Sequence, residues 1–357
     1  MARFTGQVGL QFTLHIASNY RAPEVVALAQ RAADRGFSQV WVNDNLRYRQ
    51  QYVVLTAIAA HVPIQLGTAV TVPYFRNPVD LADTLATLSE LTEGRELSVG
   101  ISRGDLAMVG HQLEMQRPIA TVRETVAMVG ALLRGERVRF GDYPQLCAYY
   151  HLLPDAGIAL AFRPAAPVRF YSGSNGPRLM AVAGQLMDGV LFSGLYITFL
   201  KLGLVGSLLA PAEQAAAAAN PPRALRKLAE VNVSVAPDRQ RARDFARKYA
   251  AHAIVMLEGL GLGVGRLTAL GIPPAAIQRL KDHWDAGETV EQVAAAVPDA
   301  MVDACFVAGT PAEVSAGLAP ILEAAAEQGI DQVILSKLGP DYAEAIDLLG
   351  RDVLPRL

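Results

Sequence analysis

Cysteine is scarce in this chain of 357 residues, which contains only Cys147 and Cys305. The two lie far apart and form no CxxC or Cys/His spacing, so the sequence predicts neither a disulfide framework nor a zinc site. We recognise no other spacing typical of metal ligands and no Ser/His/Asp order of a hydrolase. We therefore expect no bound metal, and we interpret both cysteines as apolar fillers of a core.

A strong excess of one charge is also missing. The chain has 32 Lys and Arg against 34 Asp and Glu, which gives a formal net charge of -2. Such a balance provides no overall attraction to the phosphates of nucleic acids or to anionic membranes. The composition therefore favours a small molecule as the partner.

Long uninterrupted apolar runs are absent as well. The most apolar stretch, residues 253–272, contains Glu258, Arg266 and five glycines, so it does not resemble a membrane span of about 20 apolar residues. Residues 1–7 lack the charged start, apolar middle and cleavage site of a signal peptide. With 52% hydrophobic residues the chain can still bury a large core. We expect a globular cytoplasmic protein.

Short apolar runs alternate with segments of helical periodicity along most of the chain. The predicted strands are residues 8–14, 39–42, 64–72, 96–101, 168–171, 189–192, 231–235 and 332–336. The predicted helices are residues 23–36, 52–61, 78–91, 121–133, 177–185, 196–219 and 239–252. Apolar strands separated by helices require parallel pairing, and eight such units favour a closed (β/α)8 TIM barrel of the α/β class. We interpret residues 142–167 and 259–304 as insertions in a single domain, 1–357.

The active site of a parallel barrel lies at the carboxyl ends of its strands, so the polar residues there are the candidates. They are Gln11, Thr13, His15, Asn43, Asp44, Asn45, Thr68, Thr71, Ser102, Arg103, Asp105 and Ser172. His15 fits either a general acid or a solvated side chain, and Asp105 fits either a carboxylate at the barrel mouth or a helix cap.

One segment has the chemistry of an anion site. Residues 172–176 read SGSNG and are followed by Pro177, which is typical of a first helical position. Small residues before a helix expose backbone N–H groups that can bind a phosphate, although the same residues also form ordinary turns. Neither a GxGxxG motif nor a P-loop is present.

Five motifs in order resemble the luciferase-like family of F420-dependent oxidoreductases, and within it the methylenetetrahydromethanopterin reductases. The motifs are WVNDN at 41–45, LGTAVTVP at 66–73 with RNP at 76–78, LSELTEGRELSVGISRGD at 88–105, SGSNGPRLMAVAGQLMDG at 172–189 and VAGTPAE at 307–313. The resemblance extends over nearly the whole chain. It implies a barrel that binds the deazaflavin F420 and transfers a hydride to or from a small substrate.

The resemblance also implies roles for individual residues. A non-prolyl cis peptide between Ala69 and Val70 would lie behind the deazaflavin ring. The implied cofactor-binding residues are Asp44, Thr68, Ala69, Val70, Ser102, Arg103, Gly104, Ser172, Gly173, Ser174, Asn175 and Gly176. The implied catalytic positions are Gln11, Asp44, Asn45 and Asp105. Arg47, Arg76, Arg103 and Arg178 would line the mouth and meet the acidic tail of the cofactor.

Two departures from the family pattern leave the reaction open. Asn45 replaces a histidine of many relatives, and Gln11 replaces a glutamate thought to donate the proton, which an amide cannot do at neutral pH. Three explanations of the missing acid remain: a homologue that acts on another substrate, a variant whose acid was removed, or an enzyme that uses His15 or Asp105 instead. Because related barrels use other cofactors, an FMN-dependent monooxygenase and an NADH-dependent methylenetetrahydrofolate reductase without flavin are also open. Gln11 and Asn45 additionally leave open a catalytically silent barrel that binds the cofactor. We also expect a homodimer or a higher homo-oligomer, with residues 200–209 as an apolar patch.

Overall fold

The structure is a computed structural model that describes residues 4–14, 19–104, 113–259 and 262–356. Its strands are β1 (Gln7–Phe12), β2 (Gln39–Val42), β3 (Gln65–Thr71), β4 (Leu97–Ile101), β5 (Val138–Arg139), β6 (Gly157–Ile158), β7 (Val168–Ser172), β8 (Gly189–Phe192), β9 (Arg226–Val235), β10 (Val307–Gly309) and β11 (Gln332–Ser336).

The helices cover most of the remaining described chain. They are α1 (Ala22–Asp34), α2 (Gln51–Ala59), α3 (Pro78–Glu90), α4 (Pro118–Leu133), α5 (Pro144–Tyr150), α6 (Pro177–Leu186), α7 (Tyr196–Lys201), α8 (Val205–Ala217), α9 (Arg239–Gly259), α10 (Val264–Thr268), α11 (Pro274–Asp285), α12 (Val290–Ala295), α13 (Asp299–Cys305), α14 (Pro311–Glu327) and α15 (Tyr342–Leu348). None of the described helices is both long enough and apolar enough to cross a membrane.

Eight parallel strands close into a barrel, as the sequence predicts. The order around the barrel is β1, β2, β3, β4, β7, β8, β9 and β11, and β11 pairs with β1. The predicted (β/α)8 fold is therefore confirmed. β10 is an additional strand that the sequence analysis did not identify, and it pairs with the last residues of β9 outside the ring.

Apolar side chains fill both faces of the barrel strands. Inside, the ring of Trp41 packs with Tyr171, Leu191 and Ile334. Gly67 leaves room for that indole, because a Cβ at this position would lie 2.4 Å from Trp41 Cε3. Outside, a larger core lies between the strands and the helices. This packing fixes the strands and leaves only their carboxyl ends for polar groups.

Several predicted boundaries were wrong, each for a local reason. β9 begins at Arg226 rather than at residue 231. The prediction missed its first half because polar residues interrupt the apolar pattern there. The predicted helix 196–219 is two helices, since Gly203 adopts a left-handed conformation with φ +66° between them. α9 extends beyond residue 252 to Gly259.

The two predicted insertions have distinct structures. Residues 142–167 contain α5 and the strand β6, which pairs with β5. Residues 259–304 contain the short helices α10 to α13. The assignment of the whole chain to one domain remains a prediction.

The expected apolar patch at residues 200–209 is less open than predicted. Leu200, Leu202, Leu204 and Leu208 are half-buried and pack against the core of their own chain. The exposed positions of this segment include glycine, serine and lysine.

Candidate active site

A cavity of about 890 Å³ opens at the carboxyl ends of the barrel strands. Most of the predicted site residues line it: Gln11, Asp44, Asn45, Ala69, Val70, Ser102, Arg103, Gly104, Gly173, Ser174, Asn175 and Gly176. Thr68 and Ser172 are fully buried below the cavity and are not part of its lining. His15 and Asp105 lie outside the described residues.

The end of β3 forms one wall of the cavity. The peptide between Ala69 and Val70 is cis, as the resemblance implied, and the pairing with β4 shifts register between Thr68 and Thr71. Thr68 Oγ1 donates to the carbonyl of Gly100 at 2.9 Å, so this hydroxyl stabilises the strand pair. We call the segment from Thr68 to Thr71 the β3 bulge.

Gln11 on β1 is bound to the β3 bulge. Its Nε2 donates to the carbonyl oxygen of Ala69 at 2.7 Å, and only 4% of the residue is exposed. This bond orients the amide, and the buried Oε1 has no hydrogen-bond partner within the described part of the chain. An amide held in this way can accept a hydrogen bond from a ligand, but it is not an acid.

Asp44 is held in place by a buried ion pair. Arg76 Nη1 lies 2.6 Å from Asp44 Oδ2, Nη2 lies 3.2 Å from Oδ1, and the backbone N–H of Val72 also donates to Oδ2. The guanidinium stacks 4.8 Å from the ring centre of Tyr52. Burial opposes the charge of Arg76, but hydrogen bonding and attraction to Asp44 outweigh it and raise the pKa of Arg76.

This ion pair changes the expected role of Arg76. The side chain of Asp44 is 4% exposed and that of Arg76 is 10% exposed, so Arg76 is committed to Asp44 and is not free to meet a cofactor tail. Arg47 likewise does not line the cavity, whereas Arg103 and Arg178 do. Asn45 is 7% exposed and lines the cavity, and its backbone bridges to Arg49.

The SGSNG segment lies where β7 meets α6. Gly173 N donates to the carbonyl of Ile101 at 3.0 Å, and Gly176 N donates to Ser174 Oγ at 3.2 Å. The buried Oδ1 of Asn175 has no hydrogen-bond partner among the described residues. The loop precedes a ten-residue helix and lies beside Arg178, so its electrostatics suit a phosphate.

A polar cluster that was not predicted from the sequence lies on the other side of the cavity. Lys337 Nζ donates to Glu230 Oε1 at 3.1 Å and to Asn232 Oδ1 at 2.7 Å. Glu230 also accepts from the backbone N–H of Gly194 at 3.0 Å. The signal was available, since Glu230, Asn232 and Ser234 alternate along an otherwise apolar strand and Lys337 directly follows β11.

The second insertion and α9 supply another part of the lining that the sequence did not reveal. Tyr249, His252, Trp284 and Glu288 line the cavity. The rings of His252 and Trp284 are 5.6 Å apart, and His283 Nδ1 lies 2.7 Å from Glu288 Oε2. These aromatic rings give the cavity an apolar side suited to a ring-containing substrate.

Comparison with known proteins agrees with this geometry. The chain is 29% identical over 336 residues to the 5,10-methylenetetrahydromethanopterin reductase of Methanolobus tindarius, covering 93% of this chain and 95% of that protein. It is 27% identical to the F420-dependent glucose-6-phosphate dehydrogenase of Amycolatopsis mediterranei, covering 96% of each chain.

A solved structure has the same fold. The coenzyme F420-dependent tetrahydromethanopterin reductase of Methanopyrus kandleri superposes with a TM-score of 0.75 at 22% identity, covering 98% of this chain and 99% of that one. The family resemblance inferred from the five motifs is confirmed. Because the model of the luciferase-like monooxygenase family matches residues 8–331, the chain belongs to that family.

Proposed function

We propose that this chain is an F420-dependent oxidoreductase that transfers a hydride between the reduced deazaflavin and a C=N or C=C bond of a small substrate. The observation that carries the proposal is that the β3 bulge and the SGSNG segment line one side of a single cavity. Relatives that match almost the full length of the chain act on different substrates but share the F420 cofactor in their names.

The residues of the cavity fit this cofactor. Gly173 has no side chain, so its backbone can lie against Val70 of the β3 bulge. Gln11 Oε1 and Thr13 Oγ1 are buried and lack partners among the described residues, so they can bind the polar edge of the ring. Residues 173–176 with Arg178 and Arg103 can hold a phosphate and an acidic tail.

When bound, the reduced deazaflavin supplies the hydride, and the protein supplies position and polarity. Gln11 couples β1 to the bulge through Ala69. Asp44 and Arg76 fix the loop that follows β2 to the segment after β3. The rings of Tyr249 and His252 on α9 and of Trp284 in the second insertion can line the substrate side of the cavity.

A binding screen tests the cofactor. The purified protein is titrated with F420, FMN, NADPH and NADH, and deazaflavin or flavin fluorescence is followed. We expect F420 to bind most tightly, and Arg178→Ala to weaken F420 binding because it removes a charge beside the loop. An exposed arginine away from the cavity, Arg134→Ala, is the matched control. Absence of F420 binding by the wild type would overturn the proposal.

The substrate class follows from a second assay. Methylenetetrahydromethanopterin and methylenetetrahydrofolate are tested with reduced F420 against the wild type and Gln11→Glu. If the reaction of the family is retained, the carboxyl of the variant adds an acid at the end of β1 and raises the rate. A variant that binds F420 but reduces neither pterin would argue for another substrate.

One alternative has an observation in its favour, because the matching family model is described as a monooxygenase. An FMN-dependent monooxygenase would purify yellow and consume oxygen with its substrate. An NADH-dependent methylenetetrahydrofolate reductase would oxidise NADH without any flavin, and a silent barrel would bind F420 without turnover. The cofactor screen distinguishes the first two from an F420-dependent enzyme, and the assay with reduced F420 and a substrate distinguishes the silent barrel.

Two further expectations belong to the proposal. We propose that the protein acts in the cytoplasm and assembles as a homodimer or a higher homo-oligomer. The absence of a membrane-crossing helix among the described residues agrees with the first, and light scattering on the eluted protein tests the second.

A further inference from the structure

The cluster of Glu230, Asn232 and Lys337 lies directly across the barrel from the β3 bulge. In the closed order of eight strands, β9 is four strands from β3 in either direction, and β11 is next to β9. A ring stacked on the bulge therefore faces this cluster across the cavity. A substrate between the two would have the hydride source on one side and Lys337 on the other.

The hydrogen bonds of the cluster fix which groups donate. Asn232 Nδ2 donates to the carbonyls of Gly194 at 2.6 Å and Cys305 at 3.1 Å, so Oδ1 must be its acceptor. That Oδ1 accepts from Lys337 and from Ser336 Oγ. Both oxygens of Glu230 also accept, one from Lys337 and one from Gly194 N. Lys337 Nζ is therefore the hydrogen-bond donor to both Glu230 and Asn232.

Lys337 retains one proton for a ligand. Two of its three N–H groups are directed to Glu230 and Asn232, and within the described residues the third has no assigned acceptor. The side chain is 19% exposed and lines the cavity, whereas that of Glu230 is 7% exposed. Lys337 itself has a left-handed backbone, with φ +55°, at the turn after β11. This turn directs the side chain back toward β9.

We propose that Lys337 is the proton donor of the reduction and that Glu230 and Asn232 are its positioning residues. This inference rests on the proposed function and explains how the chain can work with Gln11 at the position of the family's acid. As the hydride adds to carbon, the π electron pair moves to the neighbouring atom. That atom takes a proton from Lys337 Nζ, whose N–H bond breaks, and a proton from solvent then restores the ammonium.

Two substitutions separate proton donation from charge balance. Lys337→Arg keeps the positive charge beside Glu230, but a guanidinium holds its protons too tightly to act as an acid. We expect Lys337→Arg to lower the rate of substrate reduction by about 100-fold or more, the usual contribution of a general acid. Lys227→Arg, the same change on the outer side of β9, is the matched control. The dissociation constant of F420 should change little in either variant.

Chemical rescue tests the role of the proton itself. In Lys337→Ala, small primary amines should restore part of the rate, and the restored rate should depend on the acidity of the amine. A residue needed only for packing or charge would give rescue that follows amine size and not acidity. Wild-type rates for Lys337→Arg, or rescue independent of acidity, would overturn the proposal.

A third measurement needs no turnover. Lys337 is acetylated with a water-soluble ester, and the modification is measured by peptide mass spectrometry. The reaction requires the neutral form of the lysine amine. We expect Glu230→Gln to accelerate this acetylation, because the substitution removes the ion pair that holds Lys337 Nζ beside β9. Saturating F420 should leave Lys337 accessible, since the ring occupies the opposite wall. Unchanged acetylation in Glu230→Gln, or full protection by F420 alone, contradicts the assignment; failure to bind F420 contradicts the proposed function instead.

Discussion

Gly173 shows how one absent side chain shapes the cavity. The residue follows β7, and a Cβ placed there would lie 2.2 Å from Val70 Cγ1 on the β3 bulge. No two such atoms can approach so closely, and the branched Val70 side chain has few alternative rotamers. The closeness of the SGSNG segment to the β3 bulge therefore depends on glycine at this position.

We predict that Gly173→Ala weakens F420 binding and lowers the free energy of unfolding by about 1–3 kcal/mol, the usual cost of overpacking. Fluorescence titration and urea unfolding measure the two effects. Val70→Ala in the same chain should recover much of both losses, because it removes the conflicting methyl groups. Gly206→Ala is the control, since that position is exposed and has open space around it. Unchanged F420 binding by Gly173→Ala would show that the contact is unimportant.

At the scale of the element, α14 begins with a complete capping box. Thr310 precedes Pro311, and its backbone N–H and hydroxyl both donate to Glu313 Oε2, at 2.9 and 3.0 Å. The backbone hydrogen bond from Thr310 is the main cause of the lowered pKa of Glu313. The motif VAGTPAE, noticed in the sequence for its family likeness, is therefore also a strand end joined to a helix start.

We predict that Thr310→Ala lowers the free energy of unfolding by about 1 kcal/mol, because the first turn of α14 loses its cap. Thr310→Ser retains the hydroxyl and should remain close to the wild type. Urea unfolding followed by circular dichroism compares the three proteins. Equal stability of Thr310→Ala and Thr310→Ser would mean that the cap contributes nothing.

The alanine-rich part of α8 was recognisable from composition, but its packing partner was not. Residues 210–219 are rich in alanine, which favours a helix with a face of small residues. In the structure Ala212 and Ala216 are buried, and α8 packs so closely on α6 that a Cβ at Gly184 would lie 2.2 Å from Ala212 O. The small residues were visible in the sequence, but the partner helix was not.

At the scale of the whole molecule, the two ends of the barrel meet. β11 pairs with β1, and Asp347 of α15 accepts hydrogen bonds from Arg31 of α1 and from Arg35, which directly follows that helix. Burial alone would raise the pKa of the Asp347 carboxyl, but hydrogen bonding and attraction from the two arginines outweigh it and lower that pKa. The seam between the first and last helices is thus stabilised by an ionised carboxylate.

We predict that this seam makes the molecule sensitive to acid. The pKa of Asp347 is lower in the folded chain than in the unfolded one. The contribution of its carboxylate to the free energy of unfolding is therefore fully present above about pH 5 and is lost as the pH falls through the pKa of the folded chain. Urea unfolding at several pH values should show Asp347→Asn less stable than the wild type at neutral pH, with the difference shrinking in acid.

Asp155→Asn is the control for this prediction. The Asp155 side chain is 96% exposed, and exposed ion pairs contribute little. If the difference in free energy of unfolding between Asp347→Asn and the wild type stays constant as the pH falls, the predicted pH dependence is wrong.

The sequence by itself determined the eight strands of the barrel, most of the helices and the family, because hydrophobic periodicity is a local property and each family motif is a contiguous segment. It also located Gln11, Asp44 and residues 173–176 at the cavity. Only the tertiary structure decided which side chains face one another: Asp44 with Arg76, and Glu230 with Lys337, which are 107 residues apart. These pairings depend on strand register and barrel closure, since a shift of one residue would turn Glu230 out of the cavity.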